Sequence, residues 1–82
     1  MAKDLVGKVV HYYDKIGVAI VKLDKSLKVG DKVKFARGDD AFEQVIDSMQ
    51  IEHENLNAGK KGQEIGIKVE KSAKEGTLVY SA

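Results

Sequence analysis

The chain contains no cysteine and no proline, only two methionines, and few aromatic side chains, 6% of the total. Without cysteine there is no disulfide, no thiolate metal site and no cysteine nucleophile. Long apolar runs are also missing. The longest, Val18 to Val21, falls far short of a bilayer span, and the opening Met1-Ala2-Lys3-Asp4 leads into no apolar signal segment. No membrane association is therefore expected, and the chain reads as cytoplasmic. An excess of one charge is lacking too, with 14 basic against 13 acidic side chains mixed along the sequence. That balance argues against strong non-specific nucleic-acid binding, although a local basic face stays open. Abundant lysine and glutamate with no cysteine and only two methionines is a mixture found in heat-adapted proteins.

What is present fits one small folded domain over residues 1–82, with 43% hydrophobic and 33% charged residues. This is too apolar for intrinsic disorder. A domain of this size buries only about 60% of the surface its unfolded chain exposes, so closing a sheet on itself would help it.

The chain is organised around Leu27 to Phe35. Gly30-Asp31 lies between apolar residues and marks a turn: glycine reaches positive φ without a Cβ clash, and aspartate bonds its own backbone. Beyond it Val33 and Phe35 alternate with Lys32 and Lys34, the pattern of a half-buried strand. Short apolar runs separated by turn markers recur along the sequence, as in small all-β proteins.

Leu5 to Tyr13 is rich in β-formers, with Gly7 expected at a bulge or a close approach of backbones. With Ile16 to Leu23 it forms a predicted hairpin across Asp14-Lys15. In the second arm Gly17, Ala19, Val21 and Leu23 share one face, and Ile16, Val18 and Ile20 the other. A strand apolar on both faces is central to a core or is covered by more chain or by a partner. Phe42, Val45, Ile46 and Met49 follow helical spacing. An alternation continuing through Met49 and Ile51 instead reads as one long bent strand, which we adopt. Glu64 to Glu70 directs Ile65, Ile67 and Val69 inward and Gly66 and Lys68 outward, and Thr77 to Tyr80 forms a last strand. About six strands without a helix suggest a small closed barrel.

The Leu27-Lys28-Val29-Gly30-Asp31-Lys32-Val33 turn, Ser48 to Glu54, Gly62 to Val69 and Glu75 to Val79 together resemble the second domain of translation elongation factors. The likeness is to elongation factor Tu and its archaeal and eukaryotic counterpart, and it spans about Gly7 to Tyr80. It implies a six-stranded Greek-key β-barrel and a role in translation, contacting tRNA or ribosomal RNA. Gln50 matches a position that is acidic in the tRNA-delivering factors, and His53 one that is basic in the bacterial factor. No Gly-x-x-x-x-Gly-Lys-Ser/Thr loop exists, so no GTP binding by this chain is expected.

The RNA-binding reading thus rests on Gln50, Glu52 and His53 with Lys60 and Lys61. Each also has a plainer reading: exposed polar residues on a strand, and a solvated lysine loop between two glycines. Of Tyr12 and Tyr13, adjacent on a strand, one is expected in the core and the other exposed. His11 and His53 lie far apart without metal-ligand spacing, and no serine sits in a nucleophile elbow, so neither metal, cofactor nor catalytic residue is expected. The other reading is a non-catalytic accessory module with a protein partner, since similar barrels are appended to enzymes such as collagenase-like peptidases. It calls for an exposed apolar patch, where the RNA reading calls for a basic patch with an exposed aromatic ring.

Overall fold

Alternating apolar residues become strands wherever the chain can reverse, and in this protein several of the reversals are made by glycines at positive φ, among them Gly17, Gly30 and Gly62. The computed structural model describes residues 4–51 and 54–82. Their order is β1 (Leu5–Tyr13), β2 (Val18–Leu23), β3 (Leu27–Lys28), β4 (Lys32–Arg37), β5 (Asp40–Val45), β6 (Met49–Ile51), β7 (Glu54–Leu56), β8 (Ala58–Gly59), β9 (Glu64–Lys68) and β10 (Leu78–Ser81). No helix occurs among the described residues, so the all-β expectation holds.

Eight strands form one antiparallel sheet in the order β5-β4-β10-β1-β2-β9-β6-β7, and β3 pairs with β8 in a separate two-stranded ribbon. The hairpin of β1 and β2 is the centre of this sheet. Ile16 N donates to the Tyr13 carbonyl at 3.3 Å, and Gly17 takes φ 65°, which returns the chain antiparallel. The ladder of β1 slips against β10 between Leu5 and Gly7. A Cβ on Gly7 would lie 2.5 Å from the Lys22 carbonyl oxygen, so the close approach of backbones expected there is real.

Gly30 takes φ 96°, and the Asp31 carboxylate accepts from Lys28 N at 2.9 Å, which fixes the turn into β4. Val33 and Phe35 are then fully buried, and Phe35 stacks on Phe42 of β5 with centroids 5.0 Å apart. A single cluster collects Val9, Val21, Leu23, Val33, Phe35, Ile46, Met49, Ile65, Ile67 and Val79. One sheet reaches one cluster from β4 and from β6 only by wrapping round it, and burial of these side chains drives the wrapping.

The wrapped sheet does not close as the expected six-stranded Greek-key barrel. Among the described residues no ladder joins β5 to the far side of the sheet. At this seam a side chain substitutes for a strand: Gln44, 5% exposed, donates Nε2–H to the Lys68 carbonyl at 2.9 Å and accepts from Glu70 N at 2.9 Å.

The single bent strand expected from Phe42 to Ile51 is likewise two strands with different neighbours. β5 pairs with β4, while β6 pairs with β7 and β9. Between them Ile46 is fully buried, its N–H bonded to the Asp31 carbonyl and its own carbonyl to Gly30 N. These bonds hold the chain against the Gly30 turn and reset its direction. In β5 the inward positions belong to Phe42 and Gln44, so Val45 faces solvent at 45% exposure.

Candidate interaction surface

The outer face of the central strands is apolar and uncovered. At the tip of the first hairpin Tyr13 is 50% and Ile16 64% exposed. Beside them Val18 and Ile20 project from β2 on the side opposite Ala19, Val21 and Leu23, all of which are buried. The neighbouring β9 places Gly66 directly across from Ile20, and β6 places Gln50 across from Gly66. Gly66 lacks a side chain there, and Val18 and Ile20 lean over the space. A Cβ at that position would lie 3.2 Å from Val18 Cγ1 and 3.4 Å from Ile20 Cδ1. The result is a shallow depression of about 410 Å³ lined by Tyr13, Ile16, Val18, Ile20, Gln50, Ile51, Glu64 and Gly66. Its floor is aliphatic and its polar groups, Gln50 and Glu64, sit among exposed positions, the layout of a protein contact with a polar rim.

The residues singled out for RNA do not come together. Gln50 is exposed on β6 and belongs to the apolar depression. Glu52 and His53 lie outside the described residues. Lys60 and Lys61 are exposed in the turn between β8 and β9 and do not line the depression. That turn is held by its own bonds: Lys60 N donates to Gln63 Oε1 at 2.8 Å and Gly62 N to the Leu23 carbonyl at 2.8 Å. The N–H groups of Lys60, Gly62 and Gln63 are therefore committed within the protein rather than presented to a phosphate.

The tyrosine pair behaves as expected, with Tyr12 packed against the core and Tyr13 exposed. Tyr13 stacks on His11, whose Nδ1 lies 3.4 Å from the Glu75 carboxylate in an exposed pair. Among the described residues no three His, Asp or Glu side chains stand close enough to hold a metal. None of their helices could cross a membrane, since none exists.

The outward apolar set on β2 was legible from alternation. The contributions of Ile51, Glu64 and Gly66 were not, because they depend on β9 lying between β2 and β6. No local pattern specifies that order.

These features define a class: a small antiparallel β module whose most distinctive surface is an uncovered apolar face. Comparison with known proteins gives that class a context. No protein-family model matches the chain. It is 37% identical over 76 residues to an uncharacterized protease of Methanocaldococcus jannaschii, an alignment covering 92% of this chain and 19% of that protein. The chain thus spans about a fifth of the length of this curated relative. The crystal structure of the C-terminal domain of a U32 peptidase from Geobacillus thermoleovorans, in its selenomethionine variant, superimposes with a TM-score of 0.90. That match has 25% identity and covers 95% of this chain and 99% of that one. A second crystal structure of that domain gives TM-score 0.90 at 24% identity, covering 96% and 92% of the two chains.

These matches correct the elongation-factor resemblance. Across nearly the whole chain the likeness is to a U32 peptidase C-terminal domain, not to the second domain of an elongation factor. The motifs that suggested the factors encode turns, as Gly30 with Asp31 and Gly62 with Gln63 now make plain, and many antiparallel sheets need such turns. With the resemblance go the translation and RNA-binding roles it implied, and the tRNA or ribosomal RNA partner loses its ground.

Proposed function

We propose that this chain is a non-catalytic accessory module of a U32-type, collagenase-like peptidase, and that it seats its outward apolar face on the peptidase body. The observation that carries the reading is the apolar surface of exposed Tyr13 and Ile16 with half-buried Val18 and Ile20, in a domain that has its own buried core. Exposed apolar side chains gathered in one depression mark a contact surface rather than a solvated one. The similarity to a peptidase's C-terminal domain supplies the kind of partner. Catalysis belongs to that partner, and this chain contributes binding or positioning without a cofactor. The sheet serves as a rigid frame, a barrel-like wrap pinned at its seam by Gln44.

The test is calorimetric titration of the chain into the catalytic portion of a U32-type peptidase produced without its own C-terminal β domain. Saturable one-to-one binding is expected, and it should disappear with Ile16→Lys, which places a charge in the depression. Absence of binding by the unmodified chain, or peptide hydrolysis by this chain alone, would overturn the proposal.

A further inference from the structure

A second surface lies at the open end of the seam, away from the apolar depression. Where Gln44 stops bridging, a cavity of about 290 Å³ remains between the edge strand β5 and the segment leading into β10. Its lining includes Arg37, Asp40, Phe42, Ser72, Lys74 and Thr77. A neighbouring depression lined by Tyr12, Arg37, Lys74 and Glu75 continues it on the far side of the two cations. Arg37 is the only arginine of the chain. Arg37 and Lys74 are both exposed, and neither has an ion-pair partner among the described residues. The Lys74 backbone is fixed by the Thr77 hydroxyl, which donates to its carbonyl at 2.6 Å.

We infer that this groove binds an extended peptide segment carrying one internal acidic side chain, with the carboxylate between Arg37 and Lys74 and the backbone added to the edge of β5. Three features select that ligand. First, β5 ends the ladder, so between Asp40 and Phe42, which face β4, Ala41 turns its N–H and C=O groups outward, as at sheet edges that accept an added strand. Second, a planar guanidinium beside an ammonium suits a carboxylate, and the Phe42 ring next to them offers a place for an apolar neighbour. Third, the groove runs past the cations on both sides, so the bound chain continues beyond the carboxylate and need not end there. Asp40 lines this cavity and Glu75 the neighbouring depression, and both disfavour further acidic residues, so the segment carries one. This groove is separate from the apolar face and does not depend on the peptidase reading.

The experiment is an NMR titration of the isotopically labelled chain with an N-acetylated, C-amidated pentapeptide holding one glutamate among valines and threonines. Controls are its glutamine analogue, that analogue with a free C-terminus, and inorganic phosphate. Shifts are expected at Arg37, Asp40–Phe42 and Ser72–Thr77 with the glutamate peptide. Affinity should fall about tenfold or more for the glutamine analogue, the size of one charge-assisted hydrogen bond. Arg37→Gln, an exposed substitution whose folding the same spectra check, should give the same loss, and Asp40→Asn should tighten binding. Equal binding of both amidated peptides, unchanged affinity in Arg37→Gln, or no shifts in the groove would overturn the inference. So would tighter binding of the free C-terminus or of phosphate alone, since either would mean a terminus or bare-anion site.

Discussion

Two glycines in this protein are fixed by space rather than by backbone dihedral, and they differ in what a methyl group would strike. At Gly7 the obstacle is main chain, the Lys22 carbonyl oxygen 2.5 Å from an added Cβ. At Gly59 it is the mobile ends of side chains: Leu23 Cδ1 at 2.7 Å, Ile65 Cδ1 at 3.1 Å and Met49 Cε at 3.2 Å. Rotamer changes relieve the second clash but not the first, which requires β1 and β2 to separate where they pair. Gly59→Ala is therefore expected to cost about 1–3 kcal/mol, the usual range for an overpacked core. Gly7→Ala should cost more than Gly59→Ala, and urea denaturation of the two variants checks the order. The reverse order would mean that the hairpin yields more easily than the core.

At the scale of elements, the strands themselves were readable from local alternation, while the pairing of strands distant in sequence was not. The β1–β2 hairpin announces itself through its alternation and through Asp14-Lys15. The turn at Gly30 announces β4, and β9 shows its inward Ile65 and Ile67. Nothing local states that β6 lies beside β9, or that Leu27–Lys28 pairs with Ala58–Gly59. Apolar alternation does not reveal the inward face of β5, because one of its buried positions is the polar Gln44 and Val45 faces solvent. Gln44 enters the interior only because Lys68 and Glu70 wait there with a carbonyl and an amide, a match made by the wrapped sheet. The apolar half of the proposed docking face was legible for the same reason as the hairpin, while the Arg37–Lys74 groove joins residues far apart along the chain and left no local trace. The seam yields its own prediction. Gln44→Leu keeps the volume but strands both backbone groups, a loss of about 1–3 kcal/mol. Thermal or urea unfolding measures it, and the seam segment 68–74 should show faster amide exchange in the variant. Unchanged stability would mean that water replaces the bridge without cost.

For the whole molecule, a complete core and an uncovered apolar face belong together in a module built to attach to something larger. A chain spanning about a fifth of a curated protease, and superimposing on a peptidase's C-terminal domain, is consistent with that division of labour. Because Ile16 is 64% exposed, Ile16→Lys should leave stability within about 0.5 kcal/mol of the unmodified chain while removing the contact. The most direct measurement is hydrogen–deuterium exchange of the chain alone and mixed with the catalytic portion of a U32-type peptidase. Slower exchange is expected over Tyr13–Ile20, Gln50–Ile51 and Glu64–Gly66 in the mixture, and in Ile16→Lys that protection should be absent. Protection confined to other strands, or none at all while the mixture is otherwise competent, would contradict docking through this face.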